Sequence, residues 1–203
     1  MKYFGINKII QYLLFFLFII NVSEGLFGPL LAVFITENIA GASLATVGFA
    51  IAIYSIVKSV IQLPLARRMD SEIGEKDDFY VMIIGAIIGI VYTFGYLFIQ
   101  TPVHFYILSA FGGIGGACLM AAYYAIFSRH TDKKKRGFEW SLFSIGGLTA
   151  STAVGTALGG IYTDMFGFIT TFITAGILNI VATFILILLY PYLDGVRTRK
   201  LIG

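Results

Sequence analysis

The chain has 203 residues, of which 58% are hydrophobic and only 12% charged, with a formal net charge of +3. Soluble domains carry about 25% charged residues, so this composition excludes a water-soluble globule and points to a chain solvated by lipid. One cysteine, Cys118, and two histidines, His104 and His130, exclude a disulfide framework and a zinc cluster.

Six runs free or nearly free of charge lie at about 9–35, 43–66, 79–100, 103–128, 138–164 and 166–191. Each is long enough to cross the roughly 30 Å hydrocarbon core of a bilayer as a helix. The expected architecture is all-α and integral to the membrane, a single bundle of six transmembrane helices over 1–203.

The first run, 9–35, holds the stretch NVSEGLFGPLLAVF, in which Glu24 is the one charged side chain of the run. A carboxylate near the bilayer centre costs roughly 2.5–3.5 kcal/mol on insertion scales, and such groups face the bundle interior or a wet cavity. Asn21 and Ser23 stand beside it. A cleaved signal peptide ending near Ala40-Gly41-Ala42 is the poorer reading, because the apolar core far exceeds the roughly 7–15 residues such signals use.

The second run, 43–66, contains Tyr54 and Lys58. Counted from the helix ends, Lys58 and Glu24 lie on opposite sides of the midplane, offset by about 10 Å along the normal, so they meet only through tilt or a bridging water. Lys58 either snorkels to the headgroups or serves a cavity. The loop RRMDSEIGEKDD follows, with Arg67, Arg68, Asp70, Gly74 and Lys76.

The third run, 79–100, carries Gly85 and Gly89 and ends at the tight turn Gln100-Thr101-Pro102. The fourth, 103–128, carries Gly112, Gly113, Gly115 and Gly116, then Tyr123 and Tyr124. Those tyrosines either pack or touch a substrate through ring faces and hydroxyls. The loop RHTDKKKR leads to the fifth run, where Glu139 occupies the first helical turn, a place that suits an acid because it complements the helix dipole.

In the fifth run Gly147, Ser151, Gly155 and Gly159 recur every four residues on one face. Small residues at that spacing let helix backbones approach closely in a membrane. The stripe serves either packing within one bundle or a joint between two bundles. The sixth run is followed by VRTRKLIG.

Apart from Lys58, every Lys and Arg lies before the first run or after the second, fourth and sixth. Basic loops stay on the cytoplasmic side, which predicts both termini in the cytoplasm and a place in the cell (inner) membrane. The basic segments have no interleaved aromatics of the kind a nucleic-acid site uses, so no nucleic-acid partner is expected. No cofactor is indicated.

At this point the pattern resembles one half of a major facilitator superfamily transporter, over nearly the whole chain. The loop after the second run is similar to the family's cytoplasmic loop motif at Asp70, Gly74 and Lys76, with Arg67 and Arg68 upstream. It departs by one extra residue between Asp70 and Gly74 and by Glu75 where a base is common. GTALGG at 155–160, with Thr156 in place of a proline, resembles the family's helix-five signature. Glu24, Gly25, Gly28 and Pro29 resemble a bent, cavity-lining first helix.

The resemblance implies a 3+3 inverted repeat and a small-molecule substrate moved by alternating access. It points Glu24 into the cavity, where a carboxyl that takes and releases a proton would couple transport to a gradient. Because the sequence holds six runs, the expected assembly is a parallel homodimer about a two-fold axis along the membrane normal. Its joint would be the stripe Gly147, Ser151, Gly155, Gly159. Glu139 and Asp70 would then form a latch with Arg67 or Arg68 of the other copy.

The alternatives are one half of a heteromer, a piece of a longer transporter, or a non-transporting membrane scaffold. An intramembrane enzyme is not expected. The sequence has no Gly-x-Ser-x-Gly and no paired intramembrane aspartates, and neither histidine falls at membrane depth.

Overall fold

The computed structural model describes residues 5–71 and 74–193. Lys2 and the basic tail Arg197, Arg199 and Lys200, which bear on orientation, lie outside the described residues. Among the described residues the regular structure is helical: α1 (Lys8–Phe27), α2 (Leu31–Asn38), α3 (Leu44–Ser71), α4 (Glu75–Gly95), α5 (Pro102–His130), α6 (Arg136–Leu142), α7 (Ser151–Ile187) and α8 (Tyr190–Leu193). Five stretches are long and apolar enough to cross a membrane: Lys8–Asn38, Leu44–Asp70, Glu75–Phe98, Pro102–His130 and Arg136–Leu193.

The first expected helix is bent. A short 3-10 turn, Gly28–Leu30, separates α1 from α2 and carries Pro29 at its start. Proline lacks an N–H and holds a helical φ, so it fits the first turn of the new segment and breaks the ladder behind it.

The fifth stretch is 58 residues long, far more than a bilayer needs. At its middle Gly167 has φ 78° and ψ 167°, a conformation open to glycine and strained for any residue with a Cβ. Thr163 Oγ1 and Thr171 Oγ1 then meet at 2.9 Å, as do Tyr162 Oη and Thr174 Oγ1. In a continuous helix the backbones of such pairs would stand about 12 and 18 Å apart along the axis. The chain doubles back at Gly167.

Packing follows the small residues. α1 lies along α7, α3 along α5, and α4 against both α5 and α7. A Cβ at Gly155 would strike the Val22 carbonyl oxygen and come within 2.9 Å of the Gly25 Cα. One at Gly159 would strike the Leu26 carbonyl oxygen, and one at Gly147 would stand 2.6 Å from the Leu17 side chain. Ser151 is fully buried.

This corrects the expectation that the stripe seals a dimer. It is filled by α1 of the same chain, because the absent side chains create the slot into which that helix settles. Gly113 does the same for α3, with a Cβ there 2.7 Å from the Tyr54 carbonyl oxygen.

The buried side chains form two apolar clusters. One gathers Leu13, Phe16, Met82, Tyr123, Phe127 and Leu186 toward the end of the bundle where α1 begins. The other gathers Phe27, Ile35, Tyr96, Phe105 and Phe172 toward the opposite end. Each spanning helix passes from one cluster to the other. The polar and small residues of the bundle interior fall between them or at their edge: Asn21, Ser23 and Glu24 on α1, Tyr54 and Lys58 on α3, Tyr92 and Thr93 on α4, Gly112, Gly113, Gly115 and Gly116 on α5, and Asn179 on α7.

Candidate functional site

The middle layer brings the two intramembrane charges together. Glu24 is exposed on the flank of α1 while Lys58 is half-buried on α3, and the Lys58 charge acts on Glu24. Glu24 acts in turn on the hydroxyls of Tyr54, Tyr92 and Tyr96.

A chain of three tyrosines runs on from Lys58. The Lys58 ammonium stands 5.7 Å from the Tyr54 ring centroid, within the roughly 6 Å range of a cation–π contact. The Tyr54 and Tyr92 rings have centroids 6.1 Å apart, and those of Tyr92 and Tyr96 are 5.1 Å apart. The Tyr96 hydroxyl donates to that of Tyr92.

Glycines of α5 make the floor. A Cβ at Gly112 would lie 2.5 Å from the Tyr92 ring, and one at Gly116 would lie 2.5 Å from Tyr54 Oη and 3.5 Å from Lys58 Cδ. Two absent side chains one helix turn apart thus seat two tyrosines and the lysine stem. Nothing in the hydropathy of the fourth run distinguishes this use of glycine from ordinary packing.

A second polar group crosses the layer behind α1. Ser23 Oγ donates to the Ala175 carbonyl at 2.8 Å, and Asn179 Nδ2 donates to Thr93 Oγ1 at 2.8 Å. Thr93 Oγ1 donates onward to the Gly89 carbonyl at 3.0 Å. Asn179 Oδ1 is buried with no hydrogen-bond partner among the described residues. Asn21, expected beside Glu24 as a ligand, uses its amide within its own helix, donating to the Leu17 carbonyl at 3.0 Å.

Tyr123 and Tyr124 are not part of this arrangement. Tyr123 is fully buried and stacked on Phe127, with centroids 5.8 Å apart and planes 14° apart. Tyr124 meets Phe143 at 5.7 Å and Trp140 at 6.4 Å. Both belong to the aromatic cluster near the basic end, so their expected substrate role gives way to packing. Tyr92, Thr93 and Asn179 take their place in the middle layer, with Tyr96 beside Tyr92 in the second apolar cluster. Asn179 had a signal, since an amide inside an apolar run needs a partner.

At the basic end, Arg67, Arg68 and Asp70 are exposed at the close of α3. Gly74 is the extended residue before α4, with φ −121° and ψ 116°, and the Lys76 ammonium lies 5.6 Å from the Tyr190 ring centroid. The link that holds this end is a different one. Arg129, at the end of α5, pairs with Asp78 on α4 and donates to the Met69 carbonyl at the end of α3. One guanidinium ties three helices. His130 Nε2 stands 3.6 Å from Glu75 Oε1 beside it.

Glu139 corrects another expectation. It is buried, and its Oε2 accepts from the Asp132 backbone N–H at 2.9 Å. Asp132 Oδ1 accepts from the Lys134 N–H at 2.9 Å. Glu139 therefore fastens the basic loop of its own chain rather than reaching for an arginine of another copy.

Residues 13–201 match the family model described as Major Facilitator Superfamily. An uncharacterised MFS-type transporter of Methanocaldococcus jannaschii is 26% identical over 161 residues, covering 79% of this chain and 40% of that protein. The chain spans about two fifths of the length of the curated relative it matches. These likenesses place the chain in a family of membrane proteins, in keeping with its long apolar helices.

Proposed function

The chain belongs to the major facilitator superfamily, and from that premise we propose that it moves a small organic solute across the membrane by alternating access, coupled to protons through Glu24. The observation that carries this reading is the middle layer. Glu24, Lys58, Tyr54 and Tyr92 form a polar and aromatic group between two apolar clusters. Intramembrane ionisable groups of this kind mark substrate and proton paths. The acid accepts and releases the proton, Lys58 sets its field, and the tyrosines offer ring faces and hydroxyls to the solute.

In this reading the fifth stretch is a hairpin of two spanning segments joined at Gly167. That gives six spans, a 3+3 inverted repeat and both termini in the cytoplasm of a cell with the protein in its inner membrane. The contacts of Thr163 with Thr171 and of Tyr162 with Thr174 support the hairpin.

The bundle works against a second six-helix unit, a parallel homodimer being the simplest form. The support is the face that α3 leaves uncovered, where Phe49, Ile56, Val60 and Leu63 are 62–71% exposed. Leu158 and Ile161 on α7, 53% and 62% exposed, add to it. The joint then runs along these outer faces and not along the stripe that α1 fills.

The test is reconstitution of the full chain in liposomes with a pH-sensitive dye trapped inside. A panel of cationic, zwitterionic and neutral organic solutes is added in turn. Solute-driven proton movement supports the reading. Folded protein that moves no protons with any solute overturns the coupling.

A further inference from the structure

A groove opens on the side of α1 away from the middle layer, near the end where that helix begins. Lys8, Gln11, Tyr12 and Phe15 line it from one helix face, and Tyr192 closes it from the end of α8, around a cavity of about 330 Å³. The Lys8 ammonium stands 5.4 Å from the Tyr192 ring centroid, and the Tyr12 and Tyr192 rings are 5.5 Å apart.

Positive charge collects at the mouth. Lys8 is exposed at the first turn of α1, whose N-terminus adds the positive end of its dipole. Lys135 brings a second ammonium to the segment just before α1, its Nζ donating to the Gly5 carbonyl at 3.4 Å. Among the described residues no acid lines the groove. The acids of the neighbouring loop, Asp132 and Glu139, accept from that loop's own backbone N–H groups.

The wall changes character with depth. At the mouth are an ammonium and two tyrosine hydroxyls, the residue types that settle at a membrane–water boundary. Two turns deeper Phe15 is 53% exposed to the flank of the bundle. A soluble anion would use the mouth and gain nothing from Phe15. A molecule with an anionic head and a hydrocarbon tail uses both.

We propose that this groove is a binding site for one anionic phospholipid, with the phosphate at Lys8, polar headgroup or glycerol oxygens at the Tyr12–Tyr192 hydroxyls, and an acyl chain along Phe15. Basic pockets beside transmembrane helices hold anionic headgroups by such charge pairing. The site is independent of the solute path and requires only that α1 spans the membrane.

Native mass spectrometry of the delipidated full chain in mild detergent, titrated with phosphatidylglycerol or phosphatidylcholine, tests it. Phosphatidylglycerol should form a one-to-one adduct about fivefold more readily than phosphatidylcholine, from one lysine near an anionic headgroup. Lys8→Gln should erase that difference while Lys8→Arg keeps it. Equal binding of the two lipids, or a preference that survives Lys8→Gln, overturns the site. Thermal stabilisation by inorganic phosphate equal to that by phosphatidylglycerol would assign the groove to a free anion instead, and also overturns it. If Lys8→Gln is not recovered folded, Phe15→Glu, which sets an acid on the acyl wall, must lose the same adduct.

Discussion

Gly155 on α7 lies directly beneath the Val22 carbonyl of α1, so close that a single methyl group at position 155 has no room. The neighbouring Gly25 Cα would be 2.9 Å from that methyl. This is backbone-on-backbone packing in which the missing side chain sets the crossing. Lipid supplies no hydrophobic drive for helix association, so van der Waals contact of this kind carries the joint.

Gly155→Val should therefore destabilise the protein by about 1–3 kcal/mol or more through overpacking. Gly160→Ala and Gly146→Ala, where nothing stands within 4 Å of the new Cβ, should leave stability nearly unchanged. Thermal unfolding in detergent, followed by circular dichroism, distinguishes them. Equal tolerance at all three positions would contradict the α1–α7 crossing.

Arg129 gathers the ends of α3, α4 and α5 through Asp78 and the Met69 carbonyl. Asp78 is buried, its side chain only 4% exposed. Removing Arg129 takes away an ion-pair partner of a carboxylate that stays buried. Arg129→Met alone should cost about 3 kcal/mol, and the double change Arg129→Met with Asp78→Leu should cost clearly less. A denaturation midpoint for the double variant below that of the single one would show that the pair is not the main tie.

Asn179→Ala removes the hydrogen bond to Thr93 across the bundle. Side-chain hydrogen bonds between membrane helices average about 0.6 kcal/mol and reach about 1.7, so a modest loss of stability is expected. The partnerless Asn179 Oδ1 makes Asn179→Leu milder still, since it removes a buried acceptor together with the donor. A larger loss for Leu than for Ala would argue that this oxygen is occupied in the working protein.

That the chain is helical, with stretches apolar enough to cross a membrane, was legible in its residues. Hydropathy marks the spans, and the lone charges Glu24 and Lys58 stand out because every neighbour is apolar. Which face of each helix points where was not legible. A helix that is hydrophobic all round carries no usable amphipathic period, so Tyr92 and Tyr96 look like any other aromatic in the third run. The stripe at Gly147, Ser151, Gly155 and Gly159 announces close approach but does not name the approaching helix. The wide π turn at Phe143–Ala150 has no sequence signal that we recognise.

The claim at the centre of this account is that Glu24 carries the coupling proton. The direct measurement compares wild-type protein and Glu24→Gln in liposomes with a solute found to move protons. Accumulation under an imposed proton gradient and gradient-free exchange of labelled solute are read on the same preparation. Wild type should accumulate the solute, whereas Glu24→Gln should lose accumulation by at least about tenfold, the loss of an essential proton-transfer group, and still exchange. A Gln variant that accumulates solute as wild type does would contradict the claim and move the coupling site elsewhere.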